Sequence, residues 1–597
     1  MIVLHYLQFI ILSICINSFT LYIYLVYYTD LFSSALFQDI EPEYDFIIVG
    51  SGTAGSVIAH RIATETNYTF IVLEAGAKGN VLFEIPVLGP LLHGSIYDWQ
   101  YETVPQENAC YAFNSKKCKL FQGKIIGGSS KLNNMVHVRG NISHYVDWFQ
   151  GKYSHAFFQK QFEFIENNIL NIDEIQYQSE MTNAVLEAAK ELGYNEIDLE
   201  SANGFKRSKV SQKHGGRWSS SDNLDMEHIV TNVLVEKVLV KENVAYGVEL
   251  LKSNRKMEVF ARKGVILSSG TYNTPKLLQL SGIGPSELLK SLDIPIIVDL
   301  PVGKNLQDHV TTGLDLILFN ESLSVSIDNM LNLFHAANYF INGKGPFTTP
   351  GCEVIGFMST TNAETPDLQF MVLPVGISSD KGSHFKNSLS VNETVWNNYF
   401  AKTYDRHTAT ILPIVLHPKS KGQVLIQSKD PKAAPFIDPR YLSVKDDIVT
   451  LIRGLKLVKQ FIETDAMRNL GASINQMPFP GCHNYEIFSD KYWECYIKQL
   501  TLTSYHPVGT CSMGLPYAKT TVVDTSFKVV GLEKLFVADG SVLPTLPSGN
   551  INAAIAMMAS IFFDINIKTK TDAKLNRTNI CRKYEFIYEL VHSICVL

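Results

Sequence analysis

The chain has 597 residues, of which 46% are hydrophobic, and its formal net charge is −6 at pH 7. This hydrophobic fraction excludes general disorder, and the length predicts two or more interwoven domains with large cores. The mild charge, without a basic patch of interleaved aromatic residues, argues against a nucleic acid partner and favours a small-molecule ligand.

The first predicted element, residues 1–28, contains no Lys, Arg, Asp or Glu. It is long enough to cross a bilayer, which takes about 20 apolar residues. Its position favours a signal peptide and a secreted protein, although the usual cationic start is missing. A retained anchor that associates the protein with a membrane is the alternative. Residues 566–597 are predicted to form a tail with fraying ends.

Glycosylation sequons and cysteines fit a secretory route. Cys110 with Cys118 and Cys482 with Cys495 are close enough in sequence to close short loops in an oxidising compartment. No cysteine pair has zinc-ligand spacing, and no metal site is predicted. Five acceptor sequons begin at Asn67, Asn141, Asn320, Asn392 and Asn576.

Residues 45–76, DFIIVGSGTAGSVIAHRIATETNYTFIVLEAG, carry the most specific local pattern. The apolar run 46–49 predicts a buried parallel strand, and Gly50, Gly52 and Gly55 follow with G-x-G-x-x-G spacing before a helical pattern. In such a turn the first glycine allows the bend, the second lets a pyrophosphate approach, and the third lets the helix pack on the strand.

An acidic residue completes the unit. The next predicted strand, residues 70–73, ends at Glu74, whose carboxylate is placed to accept ribose hydroxyls and disfavours a 2′-phosphate. The pattern therefore predicts binding of FAD or NAD rather than NADP. A tight loop without a ligand is the alternative for the glycines alone, but the flanking strand, helix and acid favour a cofactor.

Later elements follow in chain order. A second glycine loop occupies residues 123–140, and residues 229–251 alternate like a pair of strands. Residues 264–269 predict a short strand, and residues 270–284 a helix that stops near its final glycines. Residues 544–559 are typical of a helix that enters a core.

Together these blocks resemble the glucose–methanol–choline family of FAD-dependent oxidoreductases, most closely its insect branch of FAD- and quinone-linked glucose dehydrogenase-like proteins. The resemblance covers about residues 44–564. Residues 270–284 match the second family signature, and PVGKNLQDHV at 301–310 and YHPVGTCSMG at 505–514 are similar to further family blocks.

The resemblance implies an α/β fold in which a Rossmann-like FAD-binding domain is interwoven with an α+β substrate-binding domain built on an antiparallel sheet with helices. Residues 44–310 would form the first part of the FAD domain, 311–500 the substrate-binding domain, and 501–565 the part that completes the FAD domain and the active site. The residues implied to bind FAD are Gly50, Gly52, Thr53, Ala54, Gly55, Glu74, Ser129, Asn133, Val136, Val235, Asp539 and Gly540.

By similarity, His506 matches the catalytic histidine, and Asn550 takes the place of its partner. The chemistry fits these residue types, because oxidation of an alcohol needs a base for the hydroxyl proton while a hydride leaves carbon for flavin N5. Asn550 is suited to hold the substrate oxygen through its amide N–H. Without the motif, a structural histidine and a helix N-cap would be the alternatives.

The sequence therefore predicts an enzyme that oxidises a CH–OH donor, a sugar or other alcohol, and passes electrons to a quinone-like acceptor or oxygen. Segments 150–170 and 217–231 are shorter than in the family, and His137 and His417 depart from its pattern. These differences keep two alternatives open: a redox-silent binding protein with the same fold, and a lyase that uses the flavin fold without net redox change.

Overall fold

The computed structural model describes residues 40–197, 202–330, 332–361 and 363–568. The predictions for residues 1–28 and for the tail beyond 568 lie outside this part of the chain. Within it, no helix is both long and apolar enough to cross a bilayer.

The described residues form short strands and helices in mixed order. The helices are α1 Thr53–Glu65, α2 Ile142–Trp148, α3 His155–Asn168, α4 Glu180–Glu191, α5 Gly270–Leu280, α6 Ser286–Ser291, α7 Ile327–Met330, α8 Leu333–Asn342, α9 Phe385–Ser388, α10 Glu393–Asn398, α11 Lys445–Ile462, α12 Asp465–Asn469, α13 Asp490–Gln499 and α14 Asn552–Phe563.

The strands are β1 Glu43–Val49, β2 Phe70–Leu73, β3 Tyr101–Glu102, β4 Lys119–Leu120, β5 Ile172–Glu174, β6 Gly204–Arg207, β7 Lys209–Lys213, β8 Gly216–Arg217, β9 Ile229–Val230, β10 Val233–Lys241, β11 Val244–Lys252, β12 Arg255–Leu267, β13 Ile283–Gly284, β14 Val298–Asp299, β15 Lys304–Leu306, β16 Val310–Thr311, β17 Ile317–Phe319, β18 Val354–Met358, β19 Leu368–Leu373, β20 His407–Val415, β21 Gly422–Leu425, β22 Phe436–Asp438, β23 Ala472–Ile474, β24 Leu502–Thr503 and β25 Leu535–Val537.

The first large sheet has the order β10-β11-β12-β1-β2-β9, and β25 pairs with β12. Strands β12, β1, β2 and β9 run parallel, and β25 runs parallel to β12. The apolar residues of β1 and β2 are buried because α1 packs on these strands, and α14 packs in turn on α1. A parallel sheet covered in this way reads as continuous apolar runs, which is the pattern that predicted these strands.

Two sequence predictions in this sheet are confirmed, the pair of strands within 229–251 and the strand at 264–269, and the latter strand is longer than predicted. Strands β10 and β11 form an antiparallel hairpin around Glu242 and Asn243, which have φ of 51° and 62° as a tight hairpin turn requires. Strand β12 is longer than predicted, because its first half continues the hairpin before it reaches the buried residues 264–267.

The second large sheet is antiparallel, with the order β23-β17-β20-β19-β18-β6. Helix α11 lies against β20, and the amphipathic pattern of this helix buries its apolar side in the second core. The predicted fold class, a Rossmann-like sheet interwoven with an antiparallel sheet and helices, is thus confirmed. The proposed domain bounds remain a prediction, and β6 joins the second sheet from the first part of the chain.

The prediction for residues 544–559 is wrong in its first half. Residues 544–551 are irregular, and the helix begins only at Asn552 as α14. Gly549 has φ of 142°, which is outside the helical region, and Asn550 after it lines the cavity described below. Helix α14 itself is apolar on all sides and buried, as expected of a core helix.

Both predicted cysteine pairs form disulfides. Cys110 bonds to Cys118 and Cys482 to Cys495. Cys352 and Cys511 are buried free thiols, as expected for small core residues.

Candidate active site

A cavity of about 570 Å³ lies between the two large sheets. The ends of β1 and β2 reach it at Val49 and Leu73, and β19 and β20 face it with Met371 and Leu412. All of the residues predicted to bind the cofactor or to catalyse, except Gly55, line this cavity. The structure therefore brings them together, while their individual roles stay predictions.

The first glycine turn has the geometry that the pattern predicted. Gly50 has φ of 101°, which only glycine adopts readily, and a Cβ on Gly55 would lie 2.0 Å from the carbonyl oxygen of Gly50. A Cβ on Gly52 would instead point into open space, with Cα of Gly128 as its nearest neighbour at 4.0 Å. Gly55 thus packs the helix on the strand, and Gly52 leaves room for a ligand.

Helix α1 begins at this open space. Its N-cap is Gly52, which provides no side-chain cap, and Thr53 and Ala54 of the first turn line the cavity. The unsatisfied N–H groups and positive end of a helix dipole are suited to a phosphate. The shape and the donors both fit the pyrophosphate of a dinucleotide.

Glu74 is buried at the end of β2 and is already hydrogen-bonded. Its Oε2 accepts from the backbone N–H of Ser51 at 2.9 Å and from Oγ of Ser51 at 2.7 Å, and its Oε1 accepts from the N–H of Gly76 at 2.8 Å. Burial raises the pKa of this carboxyl. A carboxylate offers about four acceptor positions, so Glu74 holds the glycine turn and retains capacity for a ribose hydroxyl.

The second glycine loop meets the first. A Cβ on Gly128 would lie 2.9 Å from Cα of Gly52, so the two backbones pass each other closely. Ser129 lies exposed to the cavity, and its Oγ accepts from the N–H of Gly123 at 3.2 Å. This loop supplies backbone and hydroxyl groups on the same side as the pyrophosphate cradle.

Three further predicted contacts lie along this wall. Asn133 is held by its Oδ1, which accepts from Nη1 of the buried Arg217 at 2.9 Å and from the N–H of Met135 at 3.0 Å. Val136 lies beyond it, and Val235 on β10 lines the cavity from the first sheet. An apolar side chain at Val235 suits the face of an adenine ring.

Asp539 is buried at the cavity and ties two segments together. Its Oδ2 accepts from the N–H of Gly270 at 2.8 Å and from Oγ1 of Thr274 at 2.6 Å, while its Oδ1 accepts from the N–H of Ser541 at 2.8 Å. The carboxylate thus fixes the start of α5 against the C-terminal segment. Gly540 follows it at the cavity wall.

His506 and Asn550 are in direct contact. Asn550 Nδ2 lies 3.1 Å from Nε2 of His506, and the backbone N–H of His506 donates to Oδ1 of Asp308 at 2.9 Å. The N-cap of α14 is Ile551, so Asn550 is not the helix cap that the sequence left as an alternative. Both side chains line the cavity.

A second histidine determines which nitrogen of His506 carries the proton. Nε2 of His309 lies 3.0 Å from the carbonyl oxygen of Leu416, so this nitrogen must donate. Burial holds the pKa of His309 well below its usual value, and a neutral imidazole has one N–H. Nδ1 of His309 therefore accepts from Nδ1 of His506 at 3.0 Å, and Nε2 of His506 keeps its lone pair.

Burial sets the charge states around this pair. It lowers the pKa of His506 to about 3, so the imidazole is neutral near pH 7. Burial raises the pKa of Asp308 to about 6, although hydrogen bonds from Thr503 and Tyr441 oppose the change. The unprotonated Nε2 of this neutral imidazole faces Nδ2 of Asn550 at the cavity wall, and its lone pair is able to accept a proton from a hydroxyl that takes the place of the amide N–H.

Gln369 orients the amide of Asn550. Nε2 of Gln369 donates to Oδ1 of Asn550 at 2.9 Å, which directs Nδ2 of Asn550 to His506. Sequence reasoning assigned no role to Gln369, His309 or Asp308. The last two lie in the block 301–310, which gave a signal for them, whereas Gln369 lies on β19 without a local motif.

Family models for GMC oxidoreductases match this chain at residues 44–311 with the N-terminal part and at residues 418–559 with the C-terminal part. The chain belongs to the GMC oxidoreductase family. It is accordingly a FAD-dependent oxidoreductase, and the cavity described above has the shape and donors to hold FAD.

Several characterised proteins are similar over most of their length. The chain is 30% identical to glucose dehydrogenase [FAD, quinone] of Drosophila melanogaster, covering 88% of this chain and 87% of that protein. It is 31% identical to ecdysone oxidase of Bombyx mori, covering 90% and 83%, and 32% identical to alcohol dehydrogenase [acceptor] of Pseudomonas putida, covering 89% and 97%.

The fold matches solved structures as well. The crystal structure of formate oxidase aligns with a TM-score of 0.78 at 24% identity and covers 89% of this chain and all of that chain. At this identity the match supports the shared fold and carries no argument about substrate.

Proposed function

We propose that this FAD-dependent oxidoreductase oxidises a CH–OH donor, with Nε2 of His506 as the base that accepts the hydroxyl proton. The hydrogen bonds around His506 carry the proposal. His309 donates to Leu416 and accepts from Nδ1 of His506, so Nε2 of His506, which faces Asn550, carries a lone pair. When bound, FAD supplies the two-electron chemistry that no side chain provides.

The residues around His506 have distinct parts in this proposal. A donor hydroxyl placed beside Asn550 would receive a hydrogen bond from Nδ2 and give its proton to Nε2 of His506. After it accepts the proton, the ring of His506 carries two N–H groups. His309 stabilises this ring by accepting a hydrogen bond at its own Nδ1. Gln369 keeps the amide of Asn550 in the orientation that donates.

The test is anaerobic mixing of the FAD-bound protein with a panel of alcohols and sugars, followed by flavin absorbance. Bleaching of the flavin by a donor, with formation of the carbonyl product, is the expected result. A flavin that stays oxidised with every donor would favour the redox-silent binding protein, and product formed without electron transfer to any acceptor would favour a lyase.

The electron acceptor is proposed as a quinone-like molecule or oxygen, since similar proteins include one named for a quinone and one named as oxygen-dependent. Reoxidation of the reduced flavin by oxygen and by a soluble quinone, compared in one stopped-flow experiment, separates the two. The faster reaction identifies the acceptor.

We also propose that the protein is secreted. The two disulfides among the described residues need an oxidising compartment, and the sequon residues Asn67 and Asn320 are exposed. Expression in a eukaryotic host with detection in the medium tests this, with a mobility shift after glycosidase treatment as the expected result. Retention of all the protein in the cell membrane fraction would favour the N-terminal anchor.

A further inference from the structure

The floor of the donor side of the cavity is one face of two neighbouring strands. On β19, Gln369, Met371 and Leu373 point to the same side, and Met371 pairs with Leu412 on β20 while Leu373 pairs with Thr410. Gln369 holds Asn550, so this row starts at the catalytic pair. Gln369 itself is fully buried and does not line the cavity, but it marks the position of Asn550. At about 3.3 Å per residue, the distance along β19 from Gln369 to Leu373 is about 13 Å.

The polar groups of this wall are bonded to the protein. Among the described lining residues between 311 and 500, Asp380 is the single charged one, and it accepts from the backbone N–H groups of Gly382, His384 and Phe385. The remaining lining hydroxyls of this segment also bond to backbone groups: those of Thr311, Thr349, Ser388 and Thr410.

The reactive end of the chamber is polar, because the side chains of His506 and Asn550 line it. Ser504 also lines the cavity, but its Oγ is enclosed by protein and has no hydrogen-bond partner among the described residues. His506 and Asn550 therefore place the polar contacts at one end of the chamber. A ligand with a single hydroxyl fits this distribution, whereas a sugar needs partners for hydroxyls all around its ring.

Aromatic rings close the side opposite the strands. His93 stacks on Phe121 with centroids 4.1 Å apart, and Phe121 stacks on Tyr505 at 4.9 Å. Burial lowers the pKa of His93 to about 4, so this ring is neutral near pH 7 and does not favour an anionic ligand. All three rings line the cavity.

The apolar character continues outside the cavity. Met330 and Phe347 line the cavity on either side of α8 in the chain, and residues 329–343 contain no Asp, Glu, Lys or Arg. Phe334 and Ile341 on α8 are 76% and 78% exposed, which is unusual for large apolar side chains.

We infer that the donor is an apolar alcohol, with one hydroxyl on a hydrocarbon body about 13 Å long or shorter, and not a sugar or a quaternary amine. The oxidation of this alcohol rests on the proposed function, whereas its binding in the apolar chamber does not. The polar end of the chamber would hold the hydroxyl, and the row of Met371, Leu373 and Leu412 would cover the hydrocarbon.

The test uses the FAD-bound full chain with linear primary alcohols from ethanol to decanol, together with glucose and choline. Each buried methylene contributes about 0.8 kcal/mol at most, which is a factor of about four. We expect kcat/KM to rise about two- to fourfold per methylene through octanol. A flat series, with glucose or choline the better donor, would overturn the inference.

Binding is measured separately with 2-decanone, which cannot donate a hydride from a CH–OH group, by its perturbation of the oxidised flavin spectrum. If 2-decanone binds and no alcohol reduces the flavin, the proposed reaction fails and the apolar site stands. If glucose reduces the flavin and 2-decanone does not bind, the reaction stands and the apolar site is wrong.

A substitution that introduces a polar side chain into the floor tests the hydrocarbon contact. Met371→Gln preserves the length of the side chain, and we expect it to weaken octanol and 2-decanone binding about tenfold or more and ethanol binding less than threefold. Met257→Gln is the matched control, because Met257 lies on β12 and is 37% exposed away from the cavity. Equal effects of Met371→Gln on octanol and ethanol would contradict a hydrocarbon contact.

Discussion

The two walls of the cavity differ in chemistry and in how the chain builds them. The first wall consists of glycine turns, a helix start and buried carboxylates, such as Gly52 and Glu74, that belong to short continuous segments. The second wall consists of apolar side chains on strands, such as Met371 and Leu412, that are far apart in sequence. In the proposed function, the residues that would bind the cofactor are therefore local in the sequence, whereas those that would recognise the donor are brought together by the fold.

The largest expected effect removes the cofactor from the first wall. Gly52→Val places a side chain in the open space beside α1, where no protein atom lies nearer than 4.0 Å to the new Cβ. We expect FAD affinity to fall by about 100-fold or more because the backbone can no longer approach the pyrophosphate. The measurement is the flavin absorbance per protein, with circular dichroism to check the fold.

Gly55→Ala is the contrasting variant, because its Cβ would lie 2.0 Å from the carbonyl oxygen of Gly50. It should lower the stability of the protein as a whole. Full FAD occupancy in Gly52→Val would show that the cofactor does not use this turn.

The next largest effect is expected at the contact between His309 and His506. His309→Ala removes the acceptor for Nδ1 of His506, so the proton is free to occupy Nε2 instead. We expect flavin reduction to slow by about 10- to 100-fold, a part of the range for general-base catalysis. The measurement is anaerobic stopped-flow absorbance with octanol.

His309→Gln is the rescue variant. Its amide is able to donate to Leu416 and accept from His506, so it should recover much of the rate that His309→Ala loses. Equal rates in the two variants would mean that His309 acts by packing and not by fixing the tautomer.

A smaller effect is expected for Gln369, the residue of β19 that contacts Asn550. Gln369→Leu releases Oδ1 of Asn550, so the amide is free to turn its oxygen to His506. The loss of one hydrogen bond of about 1 kcal/mol predicts roughly fivefold slower flavin reduction. Gln176→Leu, at an exposed position, is the control. An unchanged rate in Gln369→Leu would show that Asn550 does not depend on Gln369 for its orientation.

The smallest effect is the pH dependence. Because burial lowers the pKa of His506 to about 3, the base form is present throughout the neutral range and is lost only as the pH falls towards that value. Asp308, which accepts from the N–H of His506, has a pKa raised to about 6 by burial, so the test uses the Asp308→Asn variant. In that variant the rate of flavin reduction should change less than about twofold between about pH 5.5 and 8. A sigmoidal rise centred near the ordinary histidine pKa of about 6.5 would contradict this.

The sequence predicted the first wall well because its signals are local. The strand, the glycine spacing and Glu74 lie within 45–76, and each has one physical reason for its residue type. The start of α14 was predicted too early, because the apolar pattern of 553–563 was extended backwards over Pro544 and Pro547. Gly549, with φ of 142°, is not helical, so the helix is able to start only after it.

The contacts that orient His506 and Asn550 were beyond local reasoning. His309 and His506 are separated by 197 residues, and Gln369 and Asn550 by 181. The second sheet was implied only by the family resemblance, without prediction of its individual strands. The register that places Gln369 and Met371 on the same face depends on the pairing of β19 with β20. No spacing rule predicts which buried side chains such a pairing brings to the cavity.

The central claim is that His506 takes the proton of a donor held in the apolar chamber while FAD stays on the opposite wall. The most direct measurement is anaerobic flavin reduction by octanol in the unsubstituted protein and in His506→Ala at equal FAD content. The account predicts a rate about 10²- to 10⁴-fold lower in the variant. An unchanged rate in His506→Ala would contradict it.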